Sequence, residues 1–178
     1  MQRLGNSYKD CLSIKRDYVS AATIKIEKLQ YIGPLNQPNF LKIEMDYLQN
    51  VILPVKVLKY NNVWGIDLNI RVMDVKEIAA EKIRAMSDRA RYRDFYDLFL
   101  ILEKYKLDLN EIVGYIKQKE IRQTVSKSRI INNWSIIGTQ KEAEMNQIYY
   151  LYQIDDVKVK RLIDELPFDV IREPNLKT

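Results

Sequence analysis

A lysine on the apolar face of a predicted helix is the feature that most restricts how this chain can fold. Five apolar residues follow the three- and four-residue spacing of an amphipathic helix: Val75, Ile78, Ala79, Ile83 and Met86. Lys82 falls on the same face, where packing alone would favour leucine. Because an unpaired buried ammonium group is costly, we expect Lys82 to meet a carboxylate or a phosphate.

The next predicted helix supplies candidate partners for this lysine. Asp94 and Asp97 are three residues apart and share a helix face. Two interpretations are open at this point. The charged groups form a functional site, or a Lys82–Asp94 bridge joins two helices while Arg93 and Asp97 form a pair one turn apart.

The same run of sequence resembles a known family. Its motifs here are Glu81-Lys82-Ile83-Arg84-Ala85, then Arg89, then Arg93-Asp94-Phe95-Tyr96-Asp97. They are similar to the C-terminal motifs of the AbiEii/AbiGii-type abortive-infection toxins, which carry Glu-Lys-x-x-Ala, a downstream arginine and Arg-Asp-x-x-Asp. With the preceding predicted strands, the resemblance covers about residues 20 to 105.

The resemblance implies a function and a set of site residues. These toxins are similar to DNA polymerase β-like nucleotidyltransferases and are encoded beside an antitoxin. The implied substrates are a nucleoside triphosphate and an acceptor such as an RNA end, and the implied cofactor is Mg²⁺. Lys82 would contact the nucleotide phosphates, Asp94 would be its essential acidic partner and Asp97 would support it. The phosphate charge would also be neutralised by nearby arginines: Arg84, Arg89 and Arg93.

One element of the superfamily is not found in the sequence. Its nucleotidyltransferases carry a Gly-Ser turn and an Asp-x-Asp strand that hold two divalent metal ions. Gly5, Ser7 and Asp17 offer a single carboxylate, which we interpret as chance. We therefore expect the chain to be the C-terminal part of a longer enzyme, through a misplaced start codon or a decayed gene. The alternatives are a catalytically incomplete remnant or a non-enzymatic module that binds RNA or an antitoxin.

Glu44 is the candidate for a surviving metal ligand. The segment 40–47 alternates between apolar and polar residues, as a half-exposed strand does. The resemblance suggests Glu44 as the third metal-binding carboxylate because it lies between Ile43 and Met45, and Asp46 is the next choice. A solvated strand face would show the same pattern.

Composition limits the available chemistry. The chain has no histidine, which removes histidine-based acid–base, nucleophilic and zinc chemistry, and its single cysteine, Cys11, excludes an intramolecular disulfide. No stretch approaches the roughly 20 apolar residues of a membrane span, so we expect a cytoplasmic protein without a membrane partner. The net charge of +5 favours a polyanionic partner. The first basic stretch contains Arg84, Arg89, Arg91 and Arg93 and suits a contact with phosphates. A second basic stretch offers either a further contact of this kind or, as we favour, a solvated helix face: Lys117, Lys119, Arg122, Lys127 and Arg129.

The order of predicted elements indicates a single α+β unit over residues 1–178. An antiparallel or mixed sheet would be packed by a helical bundle, with Lys82 near Glu44. The resemblance implies that this fold is nucleotidyltransferase-like and incomplete. The strand-rich part is expected over residues 20–73, the helical part over 74–166 and a loose tail over 167–178. Two capping boxes are predicted, one at Asp74 with Glu77 and one at Thr139 with Glu142. The predicted strands are 21–28, 39–48, 51–59 and 65–72, and the predicted helices are 75–88, 91–105, 108–119, 120–133, 140–153 and 156–166.

Overall fold

A computed structural model describes most of the chain, in two compact units. The described residues are 12–20, 23–32, 35–46, 49–63, 65–119, 123–139, 141–146 and 153–172. The first unit comprises Met1–Asn50 and the second comprises Val51–Thr178. The predicted α+β class is confirmed, because the described residues contain antiparallel sheets and six helices.

The first unit contains a three-stranded antiparallel sheet. Its strands are β1 (Leu12–Val19), β2 (Thr23–Ile32) and β3 (Pro38–Asp46), with β2 in the centre. The strands β2 and β3 agree with the predicted strands 21–28 and 39–48 to within a few residues. The strand β1 was not predicted, because charged residues interrupt its alternation and its register shifts on either side of Arg16.

The second unit opens with a β-hairpin. Its strands are β4 (Lys56–Asn61) and β5 (Asp67–Val72), which pair antiparallel with Leu58 opposite Ile70. The turn contains Gly65 at φ +75°, a conformation that favours glycine. The prediction started β4 five residues too early, at residue 51, whereas Pro54 lies before the strand and removes a backbone donor there.

Six helices follow the hairpin among the described residues. They are α1 (Val75–Asp88), α2 (Tyr92–Tyr105), α3 (Leu109–Gln118), α4 (Lys127–Ile137), α5 (Lys141–Met145) and α6 (Asp156–Asp164). The first three match the prediction within one residue at each end, and α6 ends two residues early. The fifth was predicted over 140–153, but α5 ends at Met145, and residues 147–152 lie outside the described part of the chain.

The fourth helix begins later than predicted, and a short strand occupies part of the predicted loose tail. A short ladder pairs β6 (Val125–Ser126) with β7 (Val170–Ile171), which takes the residues just before α4 out of the helix. Ile171 is buried in this ladder, so the expectation of a loose tail from residue 167 is wrong for residues 167–172. Residues 173–178 lie outside the described residues.

The helix caps confirm one predicted boundary and correct another. Asp74 accepts a hydrogen bond from the Lys76 backbone N–H, as expected for the start of α1. The predicted partner Glu77 turns away from the cap. The Thr139 hydroxyl donates to the Ile136 carbonyl at 2.7 Å and so closes the end of α4 instead of capping α5.

The core of the second unit is built around α1. Its buried side chains come mainly from α1, α2 and α3, with additional contributions from α4 and α6. The rings of Tyr92 and Phe95 pack against Trp134 of α4, with centroids 6.3 and 5.1 Å away. The fully buried aliphatic residues include Ile83, Met86, Leu98, Ile112, Ile116, Ile130, Ile137 and Ile163.

An ion pair within this core joins three parts of the second unit. Glu77 of α1 is fully buried, and its carboxylate lies 2.6 Å from the Nζ atom of Lys119, which is 2% exposed. The same carboxylate accepts hydrogen bonds from the backbone N–H groups of Ile52 and Leu53, both at 3.0 Å. Lys119 also lies 2.6 Å from Glu81, so it is not on the solvated face that the sequence predicted.

Removing the lysine of this pair should destabilise the protein. We expect Lys119→Met to lower the free energy of unfolding at pH 7 by about 3 kcal/mol, because it leaves Glu77 buried without its cation. The matched control is Lys117→Met, at an exposed lysine two residues earlier, with an expected change below about 0.5 kcal/mol. Urea unfolding measures both values.

The difference in the free energy of unfolding between wild type and Lys119→Met should depend on pH. Burial alone would raise the pKa of Glu77, but hydrogen bonds from Lys119, Ile52 and Leu53 outweigh it and hold that pKa below its ordinary value. The stability that the charged Glu77 contributes is therefore present above the ordinary carboxyl pKa. It is lost as the pH falls through the lower pKa that Glu77 has in the folded protein. The gap between wild type and Lys119→Met should narrow in acid, and a gap that stays constant would contradict this account.

Candidate functional site

The facing sides of α1 and α2 bring together the three charged residues that the sequence singled out. The Nζ atom of Lys82 lies 3.1 Å from Oδ1 of Asp94 and 2.6 Å from Oδ2 of Asp97. The Lys82 side chain is 24% exposed, so its ammonium group is held at the edge of the core. The structure thus pairs this lysine with both carboxylates of α2.

Asp94 is the most buried member of the cluster. Its side chain is 1% exposed, and it accepts hydrogen bonds from Arg89 Nε at 2.9 Å and from Lys82. Burial alone would raise the pKa of Asp94, but these hydrogen bonds outweigh it and hold the pKa below its ordinary value. Its place in the first turn of α2 adds the favourable field of a helix N-terminus. Asp94 is therefore a fixed negative charge.

A short connection between the helices places Arg89 over Asp94. Only residues 89–91 separate α1 from α2. The end of α1 is fixed from α4, because the Asn133 side-chain amide donates to the Met86 carbonyl at 2.8 Å. The Ser87 hydroxyl accepts the backbone N–H of Ser126. These bonds satisfy backbone groups at the helix end and set the direction in which the chain leaves it.

The other two predicted arginines have different surroundings. Arg84 bonds the carboxylate of Glu81 at 2.8 and 3.0 Å and is 13% exposed, so it lies on the Lys119 side of α1. Arg93 is exposed on α2. The predicted Arg93–Asp97 pair is absent from the ion pairs of the described residues, because Asp97 bonds Lys82 instead.

The second basic stretch does not form one solvated face. Lys119 is buried, and Lys127 donates to the carbonyls of Asp164 and Leu166. Burial raises the pKa of Asp88 at the end of α1, and the positive charges of Arg129, Arg84 and Arg89 oppose that shift. Arginines from α1, from the α1–α2 connection and from α4 therefore act on one carboxylate. Arg122 lies outside the described residues.

Glu44 lies in the first unit, on the exposed side of β3. Its carboxylate is bonded to Lys42 at 2.9 Å and to Lys25 at 3.1 Å. The hydrogen bond from Lys42, with a second from Lys25, holds the pKa of Glu44 below its ordinary value. Two lysines on one carboxylate are typical of a strand surface, and they neutralise the charge that a metal ion would require.

The described carboxylates show no preformed magnesium site. Within the described ranges, no cluster of three or more acidic or cysteine side chains is arranged to hold a metal ion. Asp94 and Asp97 are bonded to Lys82, whereas magnesium requires carboxylate oxygens that are free to coordinate it. Gly5, Ser7 and Cys11 lie outside the described residues.

Sequence reasoning missed the pairing of Glu77 and Glu81 with Lys119, which holds α1 in place. Lys119 lies about 40 residues further along the chain, at a distance that no local pattern reveals. The sequence analysis assigned Glu77 to a capping box and Glu81 to the family motif.

Helices in the described ranges include none with the length and apolar character needed to cross a bilayer.

Comparison with known proteins gives one family and one relative. Residues 12–169 match the family described as "Nucleotidyl transferase AbiEii toxin, Type IV TA system". An uncharacterized protein of Aquifex aeolicus (strain VF5) is 38% identical over 53 residues, which are 30% of this chain and 26% of that relative. The matched segment thus spans about a quarter of the relative's length. No solved structure matches the chain.

Neutralising Asp94 should cost stability as well as disturb the site. We expect Asp94→Asn to lower the free energy of unfolding at pH 7 by about 2 kcal/mol, because Lys82 and Arg89 lose a charged acceptor. Since the folded pKa of Asp94 is lowered, its contribution exists above the ordinary carboxyl pKa and is lost as the pH falls through the folded value.

The control for this prediction is the neighbouring carboxylate. Asp97→Asn removes a 43% exposed group and should cost at most about 1 kcal/mol. Urea unfolding at neutral pH and in acid compares the two variants. Equal losses at both positions would mean that Asp94 is not the anchoring carboxylate.

Proposed function

Because the chain belongs to the AbiEii nucleotidyl transferase toxin family of Type IV toxin–antitoxin systems, we propose that it transfers a nucleotide from a nucleoside triphosphate to an acceptor such as an RNA end. The family also implies a cognate antitoxin. The observation that carries the proposal is the ammonium group of Lys82, held at the edge of the core by Asp94 and Asp97. A cation fixed in this way can stabilise the negative charge on the phosphate oxygens during phosphoryl transfer.

Lys82 has the donors to bind a phosphate group. An ammonium group carries three N–H donors, and two of them point at Asp94 and Asp97. The third can meet a phosphate oxygen on the exposed side of the group. A charge-assisted hydrogen bond of this kind is roughly twice as strong as a neutral one.

Asp94 acts in this proposal by positioning its neighbours. It bonds both Lys82 and Arg89, so it fixes two cations relative to each other. Arg89 bonds Asp94 mainly through Nε, and its side chain is 45% exposed, which leaves guanidinium donors for the triphosphate. Arg93 adds positive charge from the surface of α2, whereas Arg84 is paired with Glu81 on the Lys119 side of α1.

Glu44, Asp94 and Asp97 are not assigned as metal ligands. Glu44 is bonded by two lysines, and Asp94 and Asp97 are both bonded by Lys82, so none of these carboxylates belongs to a preformed magnesium site. These ion pairs favour a second candidate function. In it, the chain binds the triphosphate or RNA through Lys82 and the arginines but transfers nothing by itself.

Label transfer tests the proposal. Each of four α-labelled nucleoside triphosphates is incubated with total cellular RNA, magnesium and the full chain. We expect labelled RNA with at least one triphosphate, and a loss of about 100-fold or more in Lys82→Ala, as when one fixed donor is removed from an active site. Asp94→Asn should lose activity because it releases the lysine.

The matched control is a lysine on the same helix. Lys76→Ala removes the same charge from α1, but Lys76 pairs with Glu111, 2.6 Å away, and lies outside the cluster. It should keep activity within about twofold. Transfer that survives Lys82→Ala would contradict the site. Absence of transfer, with phosphate binding that depends on Lys82, would favour the binding module.

A further inference from the structure

The cluster around Lys82 is electrically balanced without any ligand. Lys82 and Arg89 carry two positive charges, and Asp94 and Asp97 carry two negative charges. A phosphate group that approaches Lys82 therefore meets a site with no net charge. It also meets the carboxylate of Asp97, which repels it.

We propose that Asp97 is a displaceable counter-ion of Lys82, that a polyphosphate takes its place, and that Arg93 receives the released carboxylate. The inference rests on the proposed function in one respect, the binding of phosphate by Lys82. In this arrangement Asp97 keeps weakly bound anions away from Lys82. Arg93 acts only through its contact with the released Asp97.

The two carboxylates differ in how firmly they are held. Asp94 is 1% exposed and is bonded by both Lys82 and Arg89. Asp97 is 43% exposed, and Lys82 is its one ion-pair partner among the described residues. Breaking the contact of Asp94 would strand a buried charge, whereas Asp97 can turn into solvent at little cost. Asp97 is therefore the carboxylate that a phosphate group displaces from Lys82.

Arg93 lies where a released Asp97 can reach it. The two residues are four apart on α2, so their side chains are neighbours on the helix surface. Arg93 is exposed and makes no ion pair with any other described residue. In a helix, an ion pair with the cation on the N-terminal side is the weaker arrangement. This agrees with the observation that Asp97 pairs with Lys82 and not with Arg93 when no phosphate is present.

The exchange would select ligands by charge. An anion with one negative charge replaces the contact between Asp97 and Lys82 with a similar contact, so its binding is weak. A chain of phosphates can bind Lys82 and also extend toward Arg89. The device therefore favours polyphosphates, such as the triphosphate of a nucleotide, over chloride or a carboxylate.

Binding of sodium tripolyphosphate to the full chain, without divalent metal, tests the exchange by titration calorimetry. We expect Asp97→Asn to bind about three- to tenfold more tightly than wild type, because the competing carboxylate is gone. The matched control is Asp156→Asn, which changes the net charge equally at a 50% exposed carboxylate that pairs with Lys141. It should change the affinity by less than about twofold.

The role of Arg93 is tested by a double-mutant cycle. Arg93→Ala should weaken binding about 1.5- to twofold in wild type and have little effect in the Asp97→Asn background. An equal loss in both backgrounds would show that Arg93 contacts phosphate directly, and it would overturn the assigned role. Thermal unfolding confirms that all variants are folded.

Failure of this inference and failure of the proposed function give different results. Loss of binding in Lys82→Ala, with unchanged or weaker binding in Asp97→Asn, would overturn the exchange and leave Lys82 as a phosphate ligand. Unchanged binding in Lys82→Ala would remove the proposed function together with the exchange.

Discussion

The arrangement of the second unit depends on the buried carboxylate of Glu77. One side chain ties α1 to the segment that precedes β4, through Ile52 and Leu53, and to the end of α3, through Lys119. Two buried charges are stable there only because every oxygen of Glu77 has a donor. The pair thereby fixes the rotation of α1 about its axis, which packing of small and branched side chains alone would leave less defined.

The position of Lys82 follows from that rotation. Glu77 and Glu81 are one turn apart and face Lys119, while Lys82 is the next residue along the helix and so points about 100° away, toward α2. A short connection then brings α2 back across α1, and its first turn presents Asp94. Two ionic clusters thus lie on adjacent faces of one helix. The first holds α1 in place, and the second faces the solvent with its lysine.

Local patterns predicted the parts of the structure that local forces determine. The helices α1, α2 and α3 follow from apolar periodicity, and the contact of Lys82 with Asp94 follows from one lysine on an apolar stripe that needs a carboxylate. Asp97 was a second candidate partner, but the pair predicted for it was with Arg93, and in the structure it contacts Lys82. The strand β1 was missed because its charges and its bulge hide the alternation. Glu77 was misassigned because an acidic residue in a first turn suits either a cap or a distant cation, and the cation lies 42 residues away.

Electroneutrality explains why such a site carries two aspartates. A half-buried lysine beside an arginine would be unstable without counter-charge, yet a counter-charge that is permanent would exclude a phosphate. Dividing the negative charge between a buried Asp94 and an exposed Asp97 meets both requirements, because the first maintains the geometry and the second can leave. The spacing of the motif is then a consequence of electrostatics. Two aspartates three residues apart on a helix can both contact one lysine, while one of them is buried and the other is exposed.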